Sequence, residues 1–140
     1  MRVIEVDVAR TRDLRARVLR PGVPVEEVGF PGDSDAGTVH LAVEDDAGAI
    51  VAIVTLIPDG AAGVRLRSMA VAPSLQGSGV GRILVEAAVE RMREAGVTRL
   101  WCNARDPAIG FYERLGWRIT GPGFVEDVTG LPHHPMELLL

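Results

Sequence analysis

Apolar and polar positions along the chain fall into two alternating kinds of pattern. Val3 to Val8 alternates, with Val3, Glu5 and Asp7 set against Ile4, Val6 and Val8, which is the period of a half-buried strand. Thr38 to Glu44 and Ala49 to Ile57 are β-branched runs joined by Asp45-Asp46-Ala47-Gly48, the pattern of a hairpin. Pro58 to Gly63 supplies a second turn, Val64 to Val71 reads as a third strand, and Pro73 ends it, so these strands form an antiparallel meander. From Val80 the period changes. Val80, Ile83, Leu84, Ala87, Ala88, Met92 and Ala95 recur at helical spacing, and Gly96 supplies a left-handed cap.

Val97 to Asn103 reads as a further strand, and Asp106-Pro107 as the start of a helix that runs to about Leu115, before Gly116. Trp117 to Thr120 and Met136 to Leu140 are short strand candidates. Near the N-terminus, Thr11 is placed to cap a short helix through Leu14, Val18 and Leu19 that Pro21-Gly22 stops, and 22–37 reads as a mobile loop. The strand–loop–helix–strand order from Val64 to Asn103 is that of a βαβ unit, so part of the sheet is expected to be parallel. The fold class is α/β (α+β), a mixed sheet flanked by helices.

Composition narrows the function. At 140 residues with 47% hydrophobic and 24% charged, residues 1–140 are expected to form a single globular domain. No apolar run reaches the ~18–20 residues of a membrane span, and the first ten residues hold no signal-peptide block, so a cytoplasmic protein is expected. The sole cysteine, Cys102, excludes a disulfide framework and reads as a buried apolar residue. His40, His133 and His134 match no standard metal spacing, so no metal is expected. A net charge of −4 leaves no electrostatic footprint for nucleic acid.

The segment Gln76-Gly77-Ser78-Gly79-Val80-Gly81 joins a strand end to a helix start. Its glycines permit positive φ and close approach of a ligand, and the first-turn N–H groups of the helix have no intrahelical partner. With the helix dipole they make a site for a phosphate or pyrophosphate, and Arg82 adds positive charge beside it. The sequence lacks the Gly-Lys-Ser/Thr of a Walker loop, and its glycine spacing is not that of a dinucleotide fingerprint. A glycine-rich connection with no ligand is the plain structural alternative.

Gln76-x-x-Gly79-x-Gly81 resembles the (Arg/Gln)-x-x-Gly-x-(Gly/Ala) signature of the GNAT superfamily of N-acetyltransferases. Arg67 to Pro73 resembles the strand that precedes that signature. About 30 residues after it, Phe111-Tyr112-Glu113-Arg114-Leu115-Gly116-Trp117 resembles the family's Phe-Tyr-x-x-x-Gly-Phe motif, with Trp in the last place. The likeness covers nearly the whole chain. Leu14 to Gly22, the segment around His40-Leu41, and Gly130-Leu131-Pro132-His133 further resemble the small bacterial ElaA-like branch.

The resemblance implies acetyl-CoA as co-substrate, with its pyrophosphate on the backbone amides of Gln76, Gly77, Ser78, Gly79, Val80, Gly81 and Arg82. The pantetheine arm would lie along Met69, Ala70 and Val71, between two splayed parallel strands, and an amide near Met69 or Ala70 would polarise the thioester. It implies direct attack by a primary amine of a small molecule or peptide, with Tyr112 as general acid. Packing of the short helix is the plain alternative for Tyr112. For the base, His40, Glu44, His133, His134 and the Glu26-Glu27 carboxylates are candidates, and the branch resemblance favours His133. Asn103 faces the expected cleft as a cofactor contact or a turn former. Arg12, Arg15, Arg17 and Arg20 crowd one short helix and read as a solvated basic face, with attraction of an acidic substrate as the alternative. A non-catalytic acyl-CoA-binding module is the alternative function and a nucleotide-binding protein a third. Homodimerisation through the Met136 to Leu140 tail is a further expectation.

Overall fold

The computed structural model describes residues 1–140, with residue 62 described by its backbone alone. Eight strands form one mixed sheet: β1 (Arg2–Glu5), β2 (Val39–Glu44), β3 (Ile50–Pro58), β4 (Val64–Val71), β5 (Arg99–Arg105), β6 (Arg118–Ile119), β7 (Phe124–Val125) and β8 (Pro132–Leu139). Their order is β1-β2-β3-β4-β5-β8-β6, with β7 also paired to β8. The β2–β3–β4 meander is antiparallel as its turns require, and β3 is buried along nearly its whole length at the centre of the core. The crossover helix α2 (Val80–Glu94) makes β4 and β5 parallel. Leu84, Val85 and Ala88 of α2 are at most 1% exposed, packed into the same core as Ile53, Leu66 and Leu100.

Two irregularities position the site. First, β4 and β5 pair only at Val64–Leu100 and Arg65–Trp101, so beyond Arg65 the two strands part, as the resemblance implied. Second, the β3–β4 register slips: Thr55 faces Arg67 but Ile53 faces Ala70, so Ser68 and Met69 together oppose Val54. This is a β-bulge, and Ser68 at its centre takes φ 56°, the only positive φ outside glycine among the described residues. Directly paired residues share a sheet face. Arg65 and Arg67 therefore lie on the face of Thr55 and His40, whereas Met69 and Val71 are turned to the opposite face.

The N-terminal helical segment differs from its expected form. It begins one turn earlier, with a 3-10 turn at Val8–Thr11 that Asp7 caps through the Ala9 N–H, followed by α1 (Arg12–Leu14) and a π turn at Arg15–Leu19. Thr11 caps nothing; its hydroxyl donates to the Val8 carbonyl. Arg15 is fully buried rather than on a solvated face. The C-terminal strand is longer than expected and interior to the sheet. β8 pairs with β5 on one side and, on the other, with β6 at Met136 and Glu137 and with β7 at Pro132 and His133. Asp106 caps no helix; a 3-10 turn at Asp106–Ala108 leads into α3 (Ile109–Arg114), and the Asp106 carboxylate meets His134 at 2.7 Å.

Candidate active site

A cleft of about 920 Å³ runs through the gap between β4 and β5. At one end, on the α2 face, the chain after β4 makes a 3-10 turn (Pro73–Leu75) and then the glycine loop. Gln76 anchors that loop by donating its side-chain amide to the Val71 carbonyl at 3.1 Å. Gly79 sits at φ 94° as the residue before α2, a left-handed conformation that a side chain strains. Gly81 is needed for a different reason. A Cβ there would meet Val71, Met69 and Phe111 at 3.2, 3.3 and 3.4 Å, so the bare backbone lets α2 start against β4 and α3.

The first helical bond in this region is from the Ile83 N–H to the Gly79 carbonyl, so the amides of Gly77, Gly79, Val80, Gly81 and Arg82 have no backbone acceptor. Ser78 differs: its N–H donates to the Leu75 carbonyl and its hydroxyl turns back to the same oxygen. Gln76, Gly77, Gly79, Gly81, Arg82, Met69, Ala70, Val71 and Asn103 line the cleft, whereas Ser78 and Val80 do not. Arg82 is held by Glu86 at 2.7 Å one helical turn on. Arg114, at the end of α3, adds a second guanidinium here that sequence reading missed. These free amides, the unpaired β4 edge and the open gap suit a pantetheine arm ending in a pyrophosphate.

Tyr112 lies where the strands part. Phe111 and Trp117 flank its ring, with centroids 5.1 and 5.2 Å away. Burial pushes its hydroxyl well above the usual phenol range, with the nearby Cys102 adding to the shift, so the proton stays on the oxygen. Burial likewise pushes the Cys102 thiol up to about 12, which removes it as a nucleophile.

On the opposite face the cleft is lined by Arg65 and Arg67 of β4, Asn103 and Arg105 of β5, and His133 of β8, which pairs with Arg105. Val18, Leu19 and Arg20 of the first helical segment, Phe30 of the 22–37 loop, and Glu126, Leu131 and Pro132 close it from above. The Nδ1 of His133 meets the Leu131 carbonyl at 2.9 Å, so that nitrogen donates and Nε2 is the one left without a protein partner among the described residues. Phe124 stacks on the ring. Unlike the loop residue expected from sequence, His133 is a buried strand residue at the floor of the cleft.

His40 is occupied elsewhere. Its Nδ1 meets Thr55 Oγ1 at 2.8 Å and its Nε2 the Asp33 carbonyl at 3.2 Å. The Asp33 carbonyl can only accept, so His40 Nε2 donates to it, and Thr55 Oγ1 also accepts from Arg15. His134 is tied to Asp106, and Glu44 to Arg2 and Arg10 on the surface.

Arg65, Arg67 and Arg105 are functional candidates that sequence reading missed, and Arg20, read there chiefly as part of a solvated basic face, joins them in the cleft. None has a carboxylate within ion-pair distance among the described residues. Arg20 and Arg105 both donate to the Leu19 carbonyl, at 3.0 and 3.1 Å. Arg65 lies over Trp101 at 4.9 Å with its buried Nε unpaired. Burial, and then the mutual repulsion of Arg65, Arg20 and Arg67, pulls the Arg67 guanidinium below its ordinary value; burial and Arg20 do the same to Arg105. Glu126 is the one carboxylate lining the cleft, and its oxygens are taken by Val128 and Thr129. A signal did exist: Arg65 and Arg67 stand at alternating positions on a central strand, where both faces are normally covered.

Comparison with known proteins agrees with this geometry. The profile of the Acetyltransferase (GNAT) family matches residues 9–117. The chain belongs to that family. It is 32% identical over 140 residues to an uncharacterized N-acetyltransferase of Bacillus subtilis, YitI, covering 96% of this chain and 92% of that protein. Among solved structures, ElaA of Escherichia coli superposes with a TM-score of 0.79 at 18% identity, over 97% of this chain and 96% of that one. An aminoglycoside 6'-N-acetyltransferase complexed with coenzyme A gives a TM-score of 0.79 at 18% identity, over 99% and 97%. The GNAT chain described here is thus an acyl-CoA-dependent N-acyltransferase with acetyl-CoA as co-substrate. His133 and the whole of β8 lie beyond the matched residues. No helix among the described residues is long and apolar enough to cross a membrane, and no group of three or more His, Cys, Asp or Glu could hold a metal ion.

Proposed function

We propose that residues 1–140 form one catalytic domain that acetylates the primary amine of a small molecule bearing an anionic group, by direct attack on the acetyl-CoA thioester. The observation that carries this reading is the division of one cleft by the bulge at Ser68. Beyond it, Met69 and Val71 face the glycine loop; before it, Arg65 and Arg67 face Arg20, Arg105 and His133. A chain of net charge −4 has gathered four guanidinium groups at one end of a cleft, against a single carboxylate. Such a focused positive field selects an oxyanion, and planar guanidinium forks suit a carboxylate or phosphate.

Each residue then has a task. Amides of Gly77, Gly79, Gly81 and Arg82 receive the pyrophosphate, with Gln76 holding the loop. The free edge of Met69 to Val71 pairs with the pantetheine arm, and Asn103 borders it across the gap. Acetyl-CoA supplies an acyl group on a good leaving group, the thiolate. The arginine cluster fixes the acceptor so that its amine enters the gap, and this orientation supplies much of the acceleration. His133 Nε2 takes a proton from the amine, and Tyr112, kept protonated by burial, donates one to the departing sulfur. Residues of the first helical segment, the 22–37 loop and the 126–133 stretch line the acceptor end, and such a lining favours a small molecule over a peptide.

The test is thiol release with acetyl-CoA and a panel of amines: amino-carboxylates and amino-phosphates, neutral amines, and polyamines. Anionic amines are expected to give kcat/KM at least about tenfold above the others, and Arg67→Gln to raise KM for them alone. Preference for polyamines would overturn the anionic reading. Acetyl-CoA binding with no turnover of any amine would favour a non-catalytic acyl-CoA-binding module.

A further inference from the structure

Phe30 is the meeting point of three guanidinium groups. Its ring centroid lies 4.9 Å from the guanidinium carbon of Arg15, 4.9 Å from that of Arg20 and 5.0 Å from that of Arg67. Within the 22–37 loop Val28 is 2% exposed and Phe30 is half-buried, and neither belongs to the main core cluster. What this ring touches is charge.

The ring itself is held by the backbone behind it. Phe30 N–H donates to Asp33 Oδ2 at 2.9 Å. Asp33 in turn grips the buried Arg15 with both oxygens, at 2.7 and 2.9 Å, and Arg15 also donates to Thr55 of β3. Arg15 is therefore spent on structure. Arg20 and Arg67 are not: Arg20 keeps one bond to the Leu19 carbonyl, and Arg67 makes no hydrogen bond to any described residue. Two like charges without carboxylates would swing apart into solvent. The negative face of an immobile aromatic ring opposes that, at little entropic cost.

We infer that Phe30 is a positioning residue for the acceptor: its ring, fixed by the Asp33–Arg15 clasp, holds Arg20 and Arg67 where they receive the acceptor's anionic group. This rests on the anionic-acceptor reading above and adds to it the residue that keeps the cluster in shape. Phe30 touches no reacting atom. Its loss affects recognition of the anion and leaves the acyl-transfer machinery and the glycine loop as they are.

The experiment follows arginine Nε–Hε signals by ¹H–¹⁵N NMR while inorganic sulfate is titrated, in the wild-type enzyme, Phe30→Leu and Phe30→Tyr. In the wild type the Arg20 and Arg67 signals are expected to be displaced by the ring current and to respond to sulfate. Phe30→Leu should return them to the position of free arginine and weaken sulfate binding about tenfold. Phe30→Tyr should preserve both, and acetyl-CoA affinity should be the same in all three. With the best amino-carboxylate of the panel, Phe30→Leu should raise KM about tenfold with kcat little changed. Sulfate binding by Phe30→Leu equal to the wild type would overturn the inference. So would wild-type Arg20 and Arg67 signals showing no ring-current displacement, a result that does not depend on the variant folding. Sulfate that leaves both signals of the wild type unmoved would instead remove the anionic-acceptor reading, and the inference with it.

Discussion

Tyr112 shows how burial becomes chemistry at the scale of one side chain. A phenol that is 4% exposed and flanked by Phe111 and Trp117 cannot readily ionise, and a protonated hydroxyl is what the proposed role of proton donor requires. Tyr112→Phe is expected to lower kcat by about 100-fold while leaving acetyl-CoA affinity intact; a rate within a factor of two of the wild type would remove it from the mechanism. If the proposed role of the imidazole as base for the attacking amine holds, His133→Gln should lower kcat with little change in either KM. Tyr112 stands out in the sequence because it sits in the Phe111 to Trp117 motif. The arginines do not, since guanidinium groups on a short helix and a strand read as ordinary surface until folding turns Arg15 and Arg20 inward and sets Arg67 against Phe30.

Among the elements, β4 carries the most function, and its decisive feature has no sequence mark. The three-strand meander, the long helix from Val80 and the glycine loop all follow from period and punctuation, and their bounds agree closely with the observed β2, β3, β4 and α2. The bulge does not, because a serine at φ 56° is indistinguishable in sequence from a serine in a straight strand. Nor does the length of β8, whose Pro132 and Pro135 argue against a strand but lie where pairing tolerates them. Left-handed backbone at a non-glycine residue costs on the order of 1–3 kcal/mol. The Ser68 hydroxyl is also buried without a partner. Ser68→Gly is therefore expected to raise the melting temperature slightly and to keep activity. Ser68→Val, which suits a straight strand, should lower both, since removing the bulge would turn Met69 and Val71 away from α2. Equal melting temperatures and rates for the two variants would contradict this account.

For the whole molecule, the Arg15–Asp33 clasp joins the first helical segment, the loop over the cleft and the sheet. Burial alone would raise the Asp33 carboxyl, but the hydrogen bonds from Arg15 and the Phe30 N–H, with the charges of Arg15 and His40, outweigh it and hold the group below the ordinary carboxylate value. A carboxyl lowered in the folded state contributes stability that is fully present above its unfolded pKa. That contribution is lost as pH falls through the folded value. Thermal melts through the acid range should therefore show a steeper loss of stability in the wild type than in Asp33→Asn. Asp33→Ala, which strands the fully buried Arg15 guanidinium, should cost about 3–5 kcal/mol at neutral pH. A wild-type acid limb no steeper than that of Asp33→Asn would show that the clasp does not bind the loop to the fold.

The central claim is that one cleft is divided by the β4 bulge into an acyl-CoA half and an anionic-acceptor half. Calorimetric titration of acetyl-CoA into the wild type, Gly79→Glu and Arg67→Gln tests it most directly. Gly79→Glu meets open space at its Cβ but places a carboxylate among the free amides of the loop, whereas Arg67 lies on the other side of the bulge. The account predicts micromolar binding at one site, abolished by Gly79→Glu and unchanged by Arg67→Gln. Binding that survives Gly79→Glu, or that Arg67→Gln removes, would contradict it.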